Sequence, residues 1–381
     1  MRSARSRTAR RSVLLSGLVA AALVVAGCGS SEPTTESADS DFETVTIEHA
    51  LGTAVITAEP ERIVTLGQGS AETAIALGTV PVGIEAYEWG SDETGYLPWI
   101  HDAITDRGAQ LPVQFTGGSE IDIEAVAKLD PDLILAPWSG VTQQQYDALS
   151  ALAPTVAYAE KAWTTTWEDQ IRVIGKAMGK APEADQEIAK VKAQFADATA
   201  AHPEYADVSF SFVYNTGPGT LGVFFPDEQR VAMVRGLGLQ VDPIVNTLPE
   251  TEGTDSALIG LENAHLLKDS DLLFTFYSDD ANRAEIEAQP VYRQIPAIAR
   301  GSVVAPEDQS FVTGSSMINP LTVPWSLERY VPMIDGLSPS SATDHSSSPP
   351  DAPPARACPS RSALKRFHSL RSIRLSMIQP M

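Results

Sequence analysis

The sequence predicts an α/β protein of two lobes joined by one long helix, and three observations predict it. Short apolar runs of four to eight residues alternate with helix-patterned segments from residue 60 to about 160. The alternation stops at a stretch of more than 30 residues, Thr166 to His202, with helical composition and period. It then resumes to about residue 335. Alternation of this kind implies parallel sheets covered by helices on both faces, hence two Rossmann-like lobes.

The elements follow in order. "TVTIEH" and "AVITA", spaced by "ALGT", read as a hairpin. "RIVTLG" is a buried strand, and "SAETAIALG" a helix starting at Ser70 and stopping at Gly78. "VPVGIEA" is the next strand, "DIEAVAKLDPDLILAP" a short helix and a strand divided by Pro131, "TQQQYDALSALAP" a helix and "TVAYA" a strand. In the 166–202 stretch Ile171, Ile174, Met178, Ile188, Val191 and Phe195 repeat at helical spacing; Pro182 bends this helix or marks a first-turn position. A helix of that length spans about 45–50 Å. Beyond it come the strands "VSFSFVYN" and "TLGVFF", the helix "EQRVAMVRGLG", the strands "DLLFTFYS" and "GSVVAP", and a last helix, "TVPWSLERYVPMI". The predicted organisation is a signal peptide (1–27), a flexible tether (28–43), an N-terminal lobe (44–165), the linking helix (166–202), a C-terminal lobe (203–336) and a tail (337–381).

The ends carry their own signals. Five arginines without an acid precede an apolar segment, Val13 to Ala26, too short for the roughly 20 residues of a membrane span but suited to an export signal. Cleavage at a small residue, with Cys28 incidental, is the plain reading. "VAGC" also resembles the bacterial lipobox, which makes Cys28 a lipidated first residue and an anchor on the extracytoplasmic face of the cell membrane. Arg10 and Arg11 leave the Sec and twin-arginine export routes both open. With Cys28 lipidated, Cys358 has no partner, so burial alone must hold the fold. The Ser/Pro-rich, basic tail is a disordered segment, out-of-frame sequence, or an amphipathic stretch that touches lipid.

The formal charge is −22, and loss of the five signal arginines leaves about −27. Such a surface excludes nucleic acid and anionic lipid as partners of the body. Catalytic signatures are missing: no nucleophile elbow, no usable cysteine, and a glycine turn, "GQGSAE", without the lysine of a phosphate loop. His49, His101, His202 and His265 show no paired ligand spacing, so no protein metal site is expected. What the sequence offers instead is large residues at strand ends, where open α/β sheets bind ligands. These are Gln68, Trp89, Trp138, Trp163, Tyr214, Tyr277 and Phe311. For any one of them, core packing explains it equally; together they suit a bulky, partly apolar ligand. Lys161, Arg230 and Arg283 are the few cations near these ends, and Arg230 equally fits a helix surface.

"EPERIVTLGQGSAETAIALGTVPVGIEAY", "IDIEAVAKLDPDLILAP" and "YDALSALAPTVAY" resemble the iron–siderophore substrate-binding lipoproteins of ABC importers, and the likeness runs from about Val45 to Asp335. The resemblance implies a ferric siderophore held between the lobes without a cofactor, modest lobe motion, delivery to an ABC permease, and a monomer that is not an enzyme. Cobalamin and haem binders share the architecture and stay as rivals; an extracytoplasmic hydrolase is a further one. The family's first permease-docking acid falls on Glu72, which also reads as a helix-start carboxylate. The second falls on Ala232, a departure, with Asp227 and Glu228 just upstream; Glu228 is the expected substitute. Few cations near the cleft favour a hydroxamate or mixed siderophore over a strongly anionic catecholate.

Overall fold

The computed structural model describes residues 42–251 and 254–337 of the 381-residue chain. Cys28 and the segment after Leu337 lie outside the described residues.

The N-terminal lobe opens with an antiparallel hairpin, β1 (Val45–His49) and β2 (Gly52–Ile56). Alternating elements follow: β3 (Ile63–Thr65), α1 (Ser70–Ala76), β4 (Gly83–Glu85), α2 (Pro98–Thr105), β5 (Val113–Phe115), α3 (Ile123–Lys128), β6 (Leu133–Leu135), α4 (Gln143–Ser150) and β7 (Thr155–Val156). The five strands form a parallel sheet in the order β5-β4-β3-β6-β7. Side chains alternate across it as the strand period demands. Ile63, Leu133, Leu135 and Val156 enter one core with the hairpin's Ile47, Ala54 and Ile56. Val64, Leu66, Ile134 and Ala136 enter another with Val126 of α3 and Leu149 of α4. The helix α2 and strand β5 were not anticipated; no alternation of "PWIHDAITDRGAQLPVQF" marks them.

The expected single helix over 166–202 is two helices, α5 (Trp167–Ala177) and α6 (Ala181–Ala201). Gly179 sits in the left-handed region at φ +69°, which ends α5, and Pro182 lies in the first turn of α6, where its missing N–H costs nothing. The helices fold back on each other. Glu168 Oε1 meets Lys192 Nζ at 3.4 Å, Arg172 meets Asp185 at 3.6 Å, and a Cβ on Gly175 would lie 2.3 Å from Ala184 Cβ. The link is therefore α6 alone, 21 residues or about 30 Å. Its Ala184 and Ile188 lie in the first lobe's core and its Val191 in the second's. Trp167 packs against both.

The C-terminal lobe contains β8 (Ser209–Tyr214), β9 (Gly222–Phe224), α7 (Gln229–Gly236), β10 (Gln240–Val241), β11 (Ser256–Leu258), β12 (Leu272–Phe274), α8 (Asp280–Glu287), α9 (Pro296–Ala299), β13 (Val303–Val304), α10 (Gln309–Gly314) and α11 (Thr322–Asp335). The sheet order is β11-β9-β8-β12-β13, with β10 also on β8. A parallel sheet was expected, but this one is mixed: β9 is antiparallel to both β8 and β11. The connection "NTGPGTL" between β8 and β9 is too short for a crossover, which needs a dozen residues or more, and so closes a hairpin.

Candidate functional site

Segments that follow the carboxyl ends of strands in the two sheets come into contact. The loop after β4 touches α10, which follows the end of β13: a Cβ on Gly90 would lie 2.4 Å from Thr313 Oγ1. Behind it Trp99 of α2 packs edge-on against Trp325 of α11, ring centroids 5.1 Å apart.

On the first lobe, the end of β6 carries Trp138, buried, with Trp163 edge-on to it at 4.7 Å. Trp163 is 38% exposed, its ring lies over Gly140, where a Cβ would approach to 2.5 Å, and its φ is +66°. A tryptophan held in the left-handed region costs about 1–2 kcal/mol, which the packing of its ring on Trp138 and Gly140 offsets while part of the ring stays open to solvent. Next to this pair, Glu85 at the end of β4 accepts the Gly67 N–H at 2.8 Å and the Tyr87 hydroxyl at 3.3 Å. Burial raises its pKa against those hydrogen bonds. Glu85 carries no mark in the sequence, where it is one acid among many and its partners, the Gly67 N–H and the Tyr87 hydroxyl, are set by the fold. Trp89 follows β4 and is exposed; Lys161 is exposed and has no acidic partner among the described residues. Gln68 is buried in the β3–α1 turn; its carbonyl accepts Gln170 Nε2 at 2.7 Å and its Oε1 has no protein partner.

On the second lobe, Arg230 is neither on a helix surface nor free. It is 8% exposed, pairs with Glu228, and stacks over Phe224 (4.9 Å) and Phe276 (5.6 Å). Its Nε has no protein partner, and it lines a cavity of about 10 Å³, room for one water, with Phe276 and Thr275 from the end of β12. Tyr214 is half-buried, its hydroxyl 2.9 Å from Ser256 Oγ and its ring over Gly222.

Five expectations are corrected. Tyr277 turns into the core, its hydroxyl 3.0 Å from that of Tyr292, and with Arg283 it borders a separate depression of about 710 Å³ beside β13. Arg283 is taken by Glu287 and Glu307. Phe311 is 1% exposed and packs among Trp325 and Tyr330. Glu72, expected to dock a permease, is 2% exposed; it accepts the Gly69 N–H at 3.0 Å and Trp99 Nε1 at 3.0 Å, which makes it a helix-start carboxylate that fixes Trp99. Glu228 is likewise buried, as the cap of α7 and the partner of Arg230, and cannot reach another protein.

The candidate residues thus form two clusters near the carboxyl ends of the sheets: Trp138 and Trp163, with Glu85, on one lobe, and Tyr214, Phe276 and Arg230 on the other. It has rings and a few donors, and no nucleophile paired with a base.

The family described as "Periplasmic binding protein" matches residues 63–309. The probable siderophore-binding lipoprotein YfiY of Bacillus subtilis is 35% identical over 179 residues, 46% of this chain and 51% of that protein, so the match spans about half of that relative's length. A cobalamin-binding protein of Halobacterium salinarum is 28% identical over 301 residues, 74% of this chain and 73% of its own. PiaA of Streptococcus pneumoniae, solved in complex with ferrichrome, superposes with a TM-score of 0.69 at 28% identity, covering 77% of this chain and 98% of that one.

Proposed function

The chain belongs to the periplasmic binding protein family, and from that premise we propose that it captures a ferric siderophore between its lobes and delivers it to an ABC import permease. The observation that carries this reading is Trp163: an exposed ring held at positive φ against Gly140 and Trp138, at the end of the sheet where a ligand would lie. Strain kept at an exposed aromatic is explained by a partner that covers it. The names of YfiY and of ferrichrome-bound PiaA support an iron chelate.

The cations select among chelates. Arg230 is already neutralised by Glu228 and Arg283 by Glu287 and Glu307, which leaves Lys161. Desolvating a strongly anionic ferric catecholate in an acidic protein needs more placed positive charge than that. Three hydroxamates balance Fe³⁺, so a ferric tris-hydroxamate is the preferred ligand. In this reading Trp163 and Tyr214 cover its apolar surface, Trp138 backs Trp163, and Lys161 supplies a donor, while the buried Arg230 and Gln68 shape the walls behind them. The chain works as a monomer without a cofactor, tethered by lipid on Cys28 to the outer face of the cell membrane.

The test is a titration followed by tryptophan fluorescence, with a ferric hydroxamate, a ferric catecholate, cobalamin and haemin as ligands. Saturable quenching at sub-micromolar ferric hydroxamate is expected. The cobalamin-binding relative makes cobalamin the rival ligand; tight cobalamin binding with no response to either iron chelate refutes the proposal.

A further inference from the structure

At the opposite end of the second lobe from the ligand, three residues distant in sequence meet. His202 is the residue at which α6 ends, Glu204 lies in the 3₁₀ turn Pro203–Asp207, and Asp335 is the last residue of α11. The turn leads into the amino end of β8, whereas the ligand clusters lie at the carboxyl ends of the strands.

Spacing, orientation and charge agree at this spot. One donor atom from each residue lies within 4.8 Å of the other two. His202 Nδ1 is 3.3 Å from Glu204 Oε1 and 3.6 Å from Asp335 Oδ1. Zinc holds imidazole nitrogen and carboxylate oxygen at about 2.0–2.2 Å in a tetrahedron, whose edges are then about 3.3–3.6 Å. Both separations fall in that range, and the third, between the two carboxylate oxygens, is at most 4.8 Å. Tyr205, fully buried, holds two of the ligands in place: its hydroxyl donates to Asp335 Oδ1 at 2.6 Å, and the imidazole of His202 stacks on its ring at 4.8 Å and 16°. This is the outer-shell arrangement that fixes metal ligands in advance. Neither carboxylate has a lysine or arginine partner among the described residues. The carboxyl ends of α6 and α11 add their partial negative charge, so the spot favours a cation.

We propose that His202, Glu204 and Asp335 bind one divalent transition-metal ion, zinc by the chemistry of the donors, with water completing the tetrahedron. Neutral imidazole binds through Nδ1 and keeps its proton on Nε2. The ion clips the end of the linking helix to the end of the last helix. It is a structural site, separate from ligand capture.

The experiment uses the full chain without a polyhistidine tag, stripped by chelator and titrated with zinc chloride by calorimetry, and with Co²⁺ by visible absorption. One ion per chain with micromolar affinity, tetrahedral Co²⁺ bands and a raised melting temperature are expected. His202→Asn and Asp335→Asn should abolish binding. Glu204→Gln, at an exposed position that folding does not need, should weaken it 10-fold or more; Tyr205→Phe, with every ligand kept, should weaken it about 10–100-fold. Ferric hydroxamate binding should be the same in all four variants. No saturable zinc binding overturns the proposal. Equal stoichiometric binding by wild type, His202→Asn and Glu204→Gln overturns it too.

Discussion

Trp163 and Glu72 show how far a single side chain can be judged from its neighbours in sequence. Trp163→Gly removes the ring and the positive-φ strain together. The packing lost on Trp138 and Gly140 should lower its melting temperature, the relieved strain offsetting only part of the loss, while ferric hydroxamate affinity falls at least 10-fold; unchanged affinity would remove Trp163 from the site. Glu72 carries a pKa raised by burial above 4.5, against the hydrogen bonds from Trp99 and Gly69. A carboxyl whose folded pKa is raised stabilises the fold below its unfolded value and loses that contribution as pH rises through the folded one. Glu72→Gln stays neutral and still accepts Trp99 Nε1. Its melting temperature should therefore gain on the wild type's as pH rises above about 4.5; a constant difference would mean that the carboxyl is not buried in solution. The sequence marked Trp138 and Trp163 by the same signal that marked Tyr277 and Phe311. A ring just past a strand end enters the core or the cleft according to the path of its loop, and the partner that settles Tyr277 is Tyr292, fifteen residues away. For the same reason His202 showed no metal spacing: Asp335 comes from the far end of the lobe.

The elements were the more legible level, because periodicity is local. The strands β3, β4, β6, β7, β8, β9 and β12 and the helices α1, α3, α4 and α7 lie within the runs read from the sequence, and α11 exceeds its run by Asp335. The stretch 166–202 misled because both helices share one apolar period. The break was nevertheless written in "MGKAPEA", a glycine for the left-handed turn and a proline for the next first turn. The close approach of α5 and α6 depends on Gly175, whose Cβ would lie 2.3 Å from that of Ala184 and 3.0 Å from the Lys180 carbonyl. Gly175→Ala should therefore destabilise the chain by about 1–3 kcal/mol in a denaturant titration, although alanine is the better helix former. Stability equal to the wild type's would show that the two helices are free to part.

Across the whole molecule, motion is limited by what crosses between lobes. α6 is rooted in both cores, Trp167 packs on both, and Trp99 bears on Trp325 under the control of Glu72. Wide hinge closure would tear these contacts, so the radius of gyration by small-angle scattering should agree between ligand-free and ligand-loaded chains; a clear contraction would contradict a stiff link. The acidic balance of the chain and the ion-paired Arg230 and Arg283 are the grounds for proposing a ligand of low charge. Calorimetry with a ferric tris-hydroxamate, its iron-free form and cobalamin tests this account most directly. One-to-one binding of the iron-loaded form, at least 10-fold tighter than the iron-free form and absent for cobalamin, is the predicted result. No heat of binding with the ferric complex, or preference for cobalamin, would contradict it.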